Sequence, residues 1–130
     1  MKDTIAAIST PLGAGGLGVI RISGPQARAV AARVFHPAGE KPVEKMTGYT
    51  CLYGHVQNKG EVLDEAICTC YVSPKSYTGE DVMELSCHGG TFLLEEILQA
   101  VLGAGARGAQ PGEFTRRALE NGKLSLTQAE

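Results

Sequence analysis

The chain has no tryptophan, and its aromatic rings come to four tyrosines and three phenylalanines. That is too few for a platform on which the bases of a single strand stack. Nor is there an excess of either charge. Twelve basic and 14 acidic residues leave a formal net charge of -2, which argues against a bulk electrostatic grip on nucleic acid or an anionic membrane and leaves room only for a local basic patch. No apolar run approaches the roughly 20 residues of a membrane span. The N-terminus lacks the core of a signal peptide, because its short apolar pieces are broken by Pro11 and Gly13. The pattern Gly-x-x-x-x-Gly-Lys-Ser/Thr does not occur, so these residues hold no P-loop for a nucleotide. Cys51, Cys68, Cys70 and Cys87 show no Cys-x-x-Cys pair, so no metal site is expected and simple core packing is. Free thiols suit a soluble cytoplasmic protein, which is the compartment expected.

What is present is an ordinary globular balance, 43% hydrophobic and 20% charged over 130 residues. A chain of that length forms one domain and buries roughly two-thirds of its unfolded surface without disulfides or metal. β-branched and apolar pieces predict strands over 4–8, 19–22, 49–56, 63–72 and 82–87. Gln57-Asn58-Lys59-Gly60 reads as a hairpin turn longer than the tightest kind. Ser23-Gly24-Pro25 opens a helix over 26–35, stopped by His36-Pro37, and 37–47 reads as a loop. A broad apolar stripe predicts a second helix over 91–102, capped by Gly103. Pro111-Gly112-Glu113 opens a third, ended by Gly122. Ser125 with Gln128 and Thr127 with Glu130 have capping-box spacing, so residues 121–130 are expected to begin a further helical domain of a longer protein. The fold class expected is α+β, a mixed sheet with about three helices.

Several patterns carry possible chemistry. Gly13, Gly15 and Gly18 match Gly-x-Gly-x-x-Gly, but they lead into a strand, and no acidic residue ends a second strand about 20 residues on. A dinucleotide site needs a helix there, so a glycine loop that lets a ligand or a second chain approach is the better reading. Cys87 and His88 are strand neighbours and point to opposite faces, which disfavours a nucleophile and base. Arg107, Arg116 and Arg117 read as a solvated helix face. Arg21 lies between Ile20 and Ile22, and Glu84 between Met83 and Leu85. A charge inside an apolar strand leaves two readings open. The pair faces water or each other, or it forms a polar ligand site in which a carboxylate accepts two parallel hydrogen bonds and a cation takes a ligand carboxylate. Lys123 stands apart, because it follows the helix-ending Gly122.

Six blocks, in order, carry a family resemblance: Asp3-Thr4-Ile5-Ala6-Ala7-Ile8-Ser9-Thr10-Pro11; Gly15-Gly16-Leu17-Gly18-Val19-Ile20-Arg21-Ile22-Ser23-Gly24; Ser76-Tyr77-Thr78-Gly79-Glu80-Asp81-Val82-Met83-Glu84-Leu85; His88-Gly89-Gly90; Pro111-Gly112-Glu113-Phe114-Thr115-Arg116-Arg117-Ala118; and 121–130. Together they resemble the N-terminal domain of the MnmE/TrmE family of tRNA-modification GTPases, with departures at Leu12, Ala14 and Ser86. The resemblance implies a fold similar to the folate-binding domain of aminomethyltransferases, a tetrahydrofolate-binding and dimerisation domain over 1–120, and a homodimer. It implies 5-formyl- or 5,10-methylene-tetrahydrofolate as ligand, with Arg21, Glu84 and Lys123 at the matching positions and no catalytic residue. GTP, magnesium and potassium would belong to a GTPase domain outside these residues. tRNA and an MnmG/GidA-like flavin-dependent subunit would be partners of the full-length protein, which modifies the wobble uridine. A stand-alone folate-dependent aminomethyl transferase is the alternative.

Overall fold

The computed structural model describes residues 3–9 and 17–123. Most of the predicted glycine loop and both C-terminal capping boxes lie outside the described residues. The strands are β1 (Ile5–Ile8), β2 (Gly18–Ser23), β3 (Phe35–Pro37), β4 (Thr50–Asn58), β5 (Glu61–Tyr71), β6 (Val82–Cys87) and β7 (Arg107–Gly108). The helices are α1 (Ala27–Val34), α2 (Thr91–Gly103) and α3 (Glu113–Glu120). Among the described residues, seven strands form one sheet in the order β3-β4-β5-β6-β2-β1-β7. All neighbours are antiparallel except β1 and β7. The described residues are therefore α+β, with a mixed sheet and three α-helices, the fold class its sequence implies.

Two local expectations change. Residues 35–37 do not end a helix inside a loop; they pair with β4 as a short edge strand. The hairpin between β4 and β5 is tighter than expected, with only Lys59 and Gly60 outside the strands. Both have positive φ, 52° and 82°, as a two-residue turn matched to strand twist requires.

Alternation then sorts the sheet. Ile20, Ile22, Met83, Leu85, Cys87, Cys68, Cys70 and Ala66 point to one side and join the buried faces of α1 and α2 in one core. Burial pushes the thiols of Cys68 and Cys87 up to about 12, so these cysteines pack as apolar groups. Cys51 departs from the expected core packing. It lies on the opposite side of β4 and is exposed. That second face carries Arg21, Ser23, Thr69, Tyr71 and Glu84, because residues two apart share a side.

α3 closes one end of the second face through charge. Arg117, expected on a solvated helix face, is 4% exposed. Its Nη1 donates to the Asp3 carbonyl at 2.7 Å and to both Glu80 carboxylate oxygens at 3.2 Å, and its Nη2 donates to Asp3 Oδ1 at 2.6 Å. Arg107 on β7 reaches Glu113 Oε2 at 2.7 Å and also binds Asp3. Ser23 Oγ donates to Glu80 Oε1 at 2.7 Å. Five segments are thus tied by one guanidinium and its carboxylates: α3, the stretch before β1, the loop before β6, β2 through Ser23 and β7 through Arg107. The helix-surface pattern of the sequence could not show this, because the partners come from residues 3 and 80.

Removing one member of a buried ionic set leaves the others uncompensated, at a cost of roughly 3–5 kcal/mol. Arg117→Met is expected to lose stability on that scale in denaturant titration; a loss below 1 kcal/mol would show that the network is not structural. The hydrogen bond from Arg107 holds the Glu113 carboxyl down to about 2, against an ordinary 4.5. A depressed carboxylate stabilises the fold above its unfolded pKa and loses that contribution as pH falls. The thermal midpoint should drop between pH 4.5 and 2. Glu113→Gln should flatten that limb while lowering the midpoint at pH 7.

Candidate functional site

Arg21 and Glu84 are direct cross-strand partners on β2 and β6. Arg21 Nε donates to Glu84 Oε2 at 2.9 Å, and both side chains are about one-fifth to one-quarter exposed. The two charges pair, as one sequence reading has it, and the same pair lines a hollow. The guanidinium carbon sits 5.2 Å from the Tyr77 ring centroid and 5.5 Å from that of Phe114. Such distances permit cation–π attraction from both rings. Tyr77 comes from the loop before β6 and Phe114 from α3, and a hydrogen bond of 2.9 Å joins Tyr77 Oη to Thr115 Oγ1. With Nε committed to Glu84, the Nη edge of Arg21 has no hydrogen-bond partner among the described residues.

Three adjoining hollows make a groove around this pair. The first, about 300 Å³, is walled by Arg21, Tyr71, Tyr77, Val82 and Glu84. A second, about 390 Å³, lies across Arg21 and Tyr77 against Ile8, Gln110, Pro111 and Phe114. The third, about 310 Å³, is walled by Tyr49, Tyr71, Lys75, Ser76, Tyr77 and Lys123. These sizes are those of small-molecule sites, roughly 300–1,000 Å³. Burial, and then the charge of Glu84, push the Tyr71 phenol up, so it stays a neutral hydrogen-bonding wall.

Lys123 reaches the groove because α3 ends in a fixed way. Gly122 takes φ 73°. The Lys123 N–H donates to the Ala118 carbonyl at 2.8 Å and that of Gly122 to Leu119 at 3.1 Å, the two bonds of a Schellman cap. Asn121 Nδ2 donates to the Thr78 carbonyl at 2.8 Å. The loop lies so close that a Cβ on Gly79 would sit 2.8 Å from Asn121 Cβ, and Gly79 itself has φ 83°. Only glycine fits both demands.

The structure thus places all three predicted residues along one groove. Arg21 and Glu84 touch; Lys123 lies in the next hollow, beyond Tyr71 and Tyr77. Sequence reasoning missed Tyr71, Tyr77, Lys75 and Phe114. A usable signal was the scarcity of aromatic rings: Tyr49, Tyr71, Tyr77 and Phe114 are four of the seven in the chain. Chemically the groove offers a carboxylate, a planar guanidinium edge, ammonium groups and flat apolar walls. It suits a planar heterocycle with an N–H edge joined to an anionic end.

Comparison with known proteins agrees with the reading of the six blocks. The family model described as the GTP-binding protein TrmE N-terminus matches residues 4–123. The chain is 52% identical over 131 residues to a protein of Chloroflexus aurantiacus called tRNA modification GTPase MnmE, covering all of this chain and 28% of that one. Proteins of the same name from Carboxydothermus hydrogenoformans and Geobacter sulfurreducens are 48% and 50% identical over 132 residues. The chain spans under a third of the length of these relatives. A match over nearly every residue, at about half identity, means that the chain belongs to the family of TrmE N-terminal domains.

Proposed function

We propose that the groove binds a reduced one-carbon folate, and that the chain is the folate-binding, dimerising module of a GTPase that modifies the wobble uridine of tRNA. The observation that carries the folate reading is the Arg21–Glu84 pair, with Tyr77 and Phe114 within cation–π range of Arg21, beside a hollow of small-molecule size. The pterin ring presents an amine and a ring N–H side by side. A carboxylate accepts both in parallel. Arg21 occupies one lone-pair direction on Glu84 Oε2 and so orients the carboxylate, while Oε1 accepts no bond from the described residues. The open Nη edge of Arg21 faces a carbonyl or formyl oxygen of the ligand, and Lys123 its anionic end. 5-formyl- and 5,10-methylene-tetrahydrofolate both meet these demands.

Dimerisation has its own support in the second face of the sheet. Tyr53 is 53% and Ile67 39% exposed there, with exposed Cys51 beside them. Apolar groups grouped on one uncovered face mark an interaction surface. The face is continuous with the groove through Tyr71, so a second copy seated there borders each ligand site. GTP hydrolysis, with its magnesium and potassium, and contact with tRNA and a flavin-dependent subunit belong to the full-length protein in this reading, and the cytoplasm is its place of action. Among the described residues no helix is long and apolar enough to cross a membrane.

Glu84→Gln keeps the shape but puts a donor where an acceptor is needed. Hydrogen bonds to a charged group are worth roughly 1.5–3 kcal/mol, so calorimetric titration with 5-formyl-tetrahydrofolate should show affinity falling about 10- to 150-fold; unchanged affinity would remove Glu84 from the site. Sedimentation equilibrium should find a dimer, strengthened by the folate through mass action, and Ile67→Asp should shift it to monomer. A wild-type chain that stays monomeric with folate bound would sink the dimer.

A further inference from the structure

We infer that the hollow beside Lys123 is a dicarboxylate subsite in which Lys75, as well as Lys123, holds the glutamyl tail of the ligand, so that the groove selects folates over tail-less pterins; this rests on the folate reading above. Lys75 comes from the loop before β6 and Lys123 from the end of α3, yet both line one hollow of about 310 Å³. No acidic residue lines it. Among the described residues neither ammonium has an ion-pair partner. Two cations converging without a counter-charge repel each other, and a ligand with two negative charges turns that repulsion into attraction.

The backbones that carry both lysines are pinned. The Lys75 N–H donates to the Val72 carbonyl at 2.9 Å, and the Lys75 carbonyl accepts from Tyr49 Oη at 2.9 Å. Lys123 is fixed by the cap on α3 and by the contact of Gly79 with Asn121. An ordinary solvated lysine has neither a converging partner nor a floor. Here Tyr49, Tyr71 and Tyr77 make the floor. Tyr71 and Tyr77 are also walls of the hollow that holds Glu84. A ligand whose flat ring sits at Glu84 therefore runs across these two rings into the lysine hollow. The tail of a folate ends in a glutamate with two carboxylates, equal in number and opposite in charge to the two ammonium groups. The pairs are solvent-exposed and screened by salt, so each is worth a modest factor.

Calorimetric titration of the wild-type chain, Lys75→Met and Lys75→Arg with 5-formyl-tetrahydrofolate, and with its analogue lacking the glutamate (5-formyl-tetrahydropteroate), tests this. The wild type should prefer the folate at least tenfold. Lys75→Met should weaken the folate three- to tenfold, leave the analogue unchanged and reduce the salt dependence of folate binding, while Lys75→Arg keeps wild-type behaviour. Equal losses for both ligands in Lys75→Met, or no loss for either, would overturn the subsite. The same result would follow if the wild type did not distinguish the two ligands, and the folate reading would then stand. Failure of both ligands to bind the wild type would overturn the folate reading and the subsite with it.

Discussion

The buried guanidinium of Arg117 decides how the second face of the sheet is organised. It gathers a main-chain carbonyl and two carboxylates from Asp3, just before β1, and from the loop before β6, and it does so from a helix of only eight residues. A helix that short has little stability of its own. Its place against the sheet depends on tertiary contacts, and with only Glu113, Arg117 and Ala118 buried, those contacts are chiefly ionic. Arginine suits the position, since its planar fork meets several oxygens at once without losing its charge.

The groove inherits its geometry from this arrangement. Phe114 lies on the first turn of α3, and Tyr77 lies three residues before Glu80, which Arg117 holds. Both rings near Arg21 are therefore set by the same ionic knot, and the hydrogen bond between Tyr77 Oη and Thr115 Oγ1 ties the loop to α3. Binding groups are most exact when their own rotamers are fixed by neighbours. Arg21 has three such neighbours: Glu84 across the sheet, and the rings of Tyr77 and Phe114.

The sheet and the three helices were legible because they follow from period and punctuation. Ile20, Ile22, Met83 and Leu85 alternate with polar residues, and Gly122 marks the end of α3 by its need for positive φ. Arg21 and Glu84 stood out as charges inside apolar strands, and pairing register then made them neighbours. β3 was not legible, because three residues ending in proline carry no period of their own and form a strand only against β4. Arg117 was misread for a related reason. Helical spacing tells which side of α3 it occupies, but not that three carboxylates from residues 3, 80 and 113 wait on that side. Tyr77 sits in a loop, where no periodicity assigns a direction, and its role needs the fold before it can be seen.

The two borders of the sheet are made of very little strand. One ends in β3, three residues finishing at Pro37, and the other in β7, two residues finishing at Gly108. Pro37 has no N–H to offer, and two or three residues present few unpaired backbone groups to a passing chain. Growth of the sheet sideways, strand upon strand, is thereby discouraged at both ends. On the dimer reading proposed above, a contact between copies would fall instead on the broad side that carries Tyr53 and Ile67, where a two-fold arrangement would close on itself and stop at two.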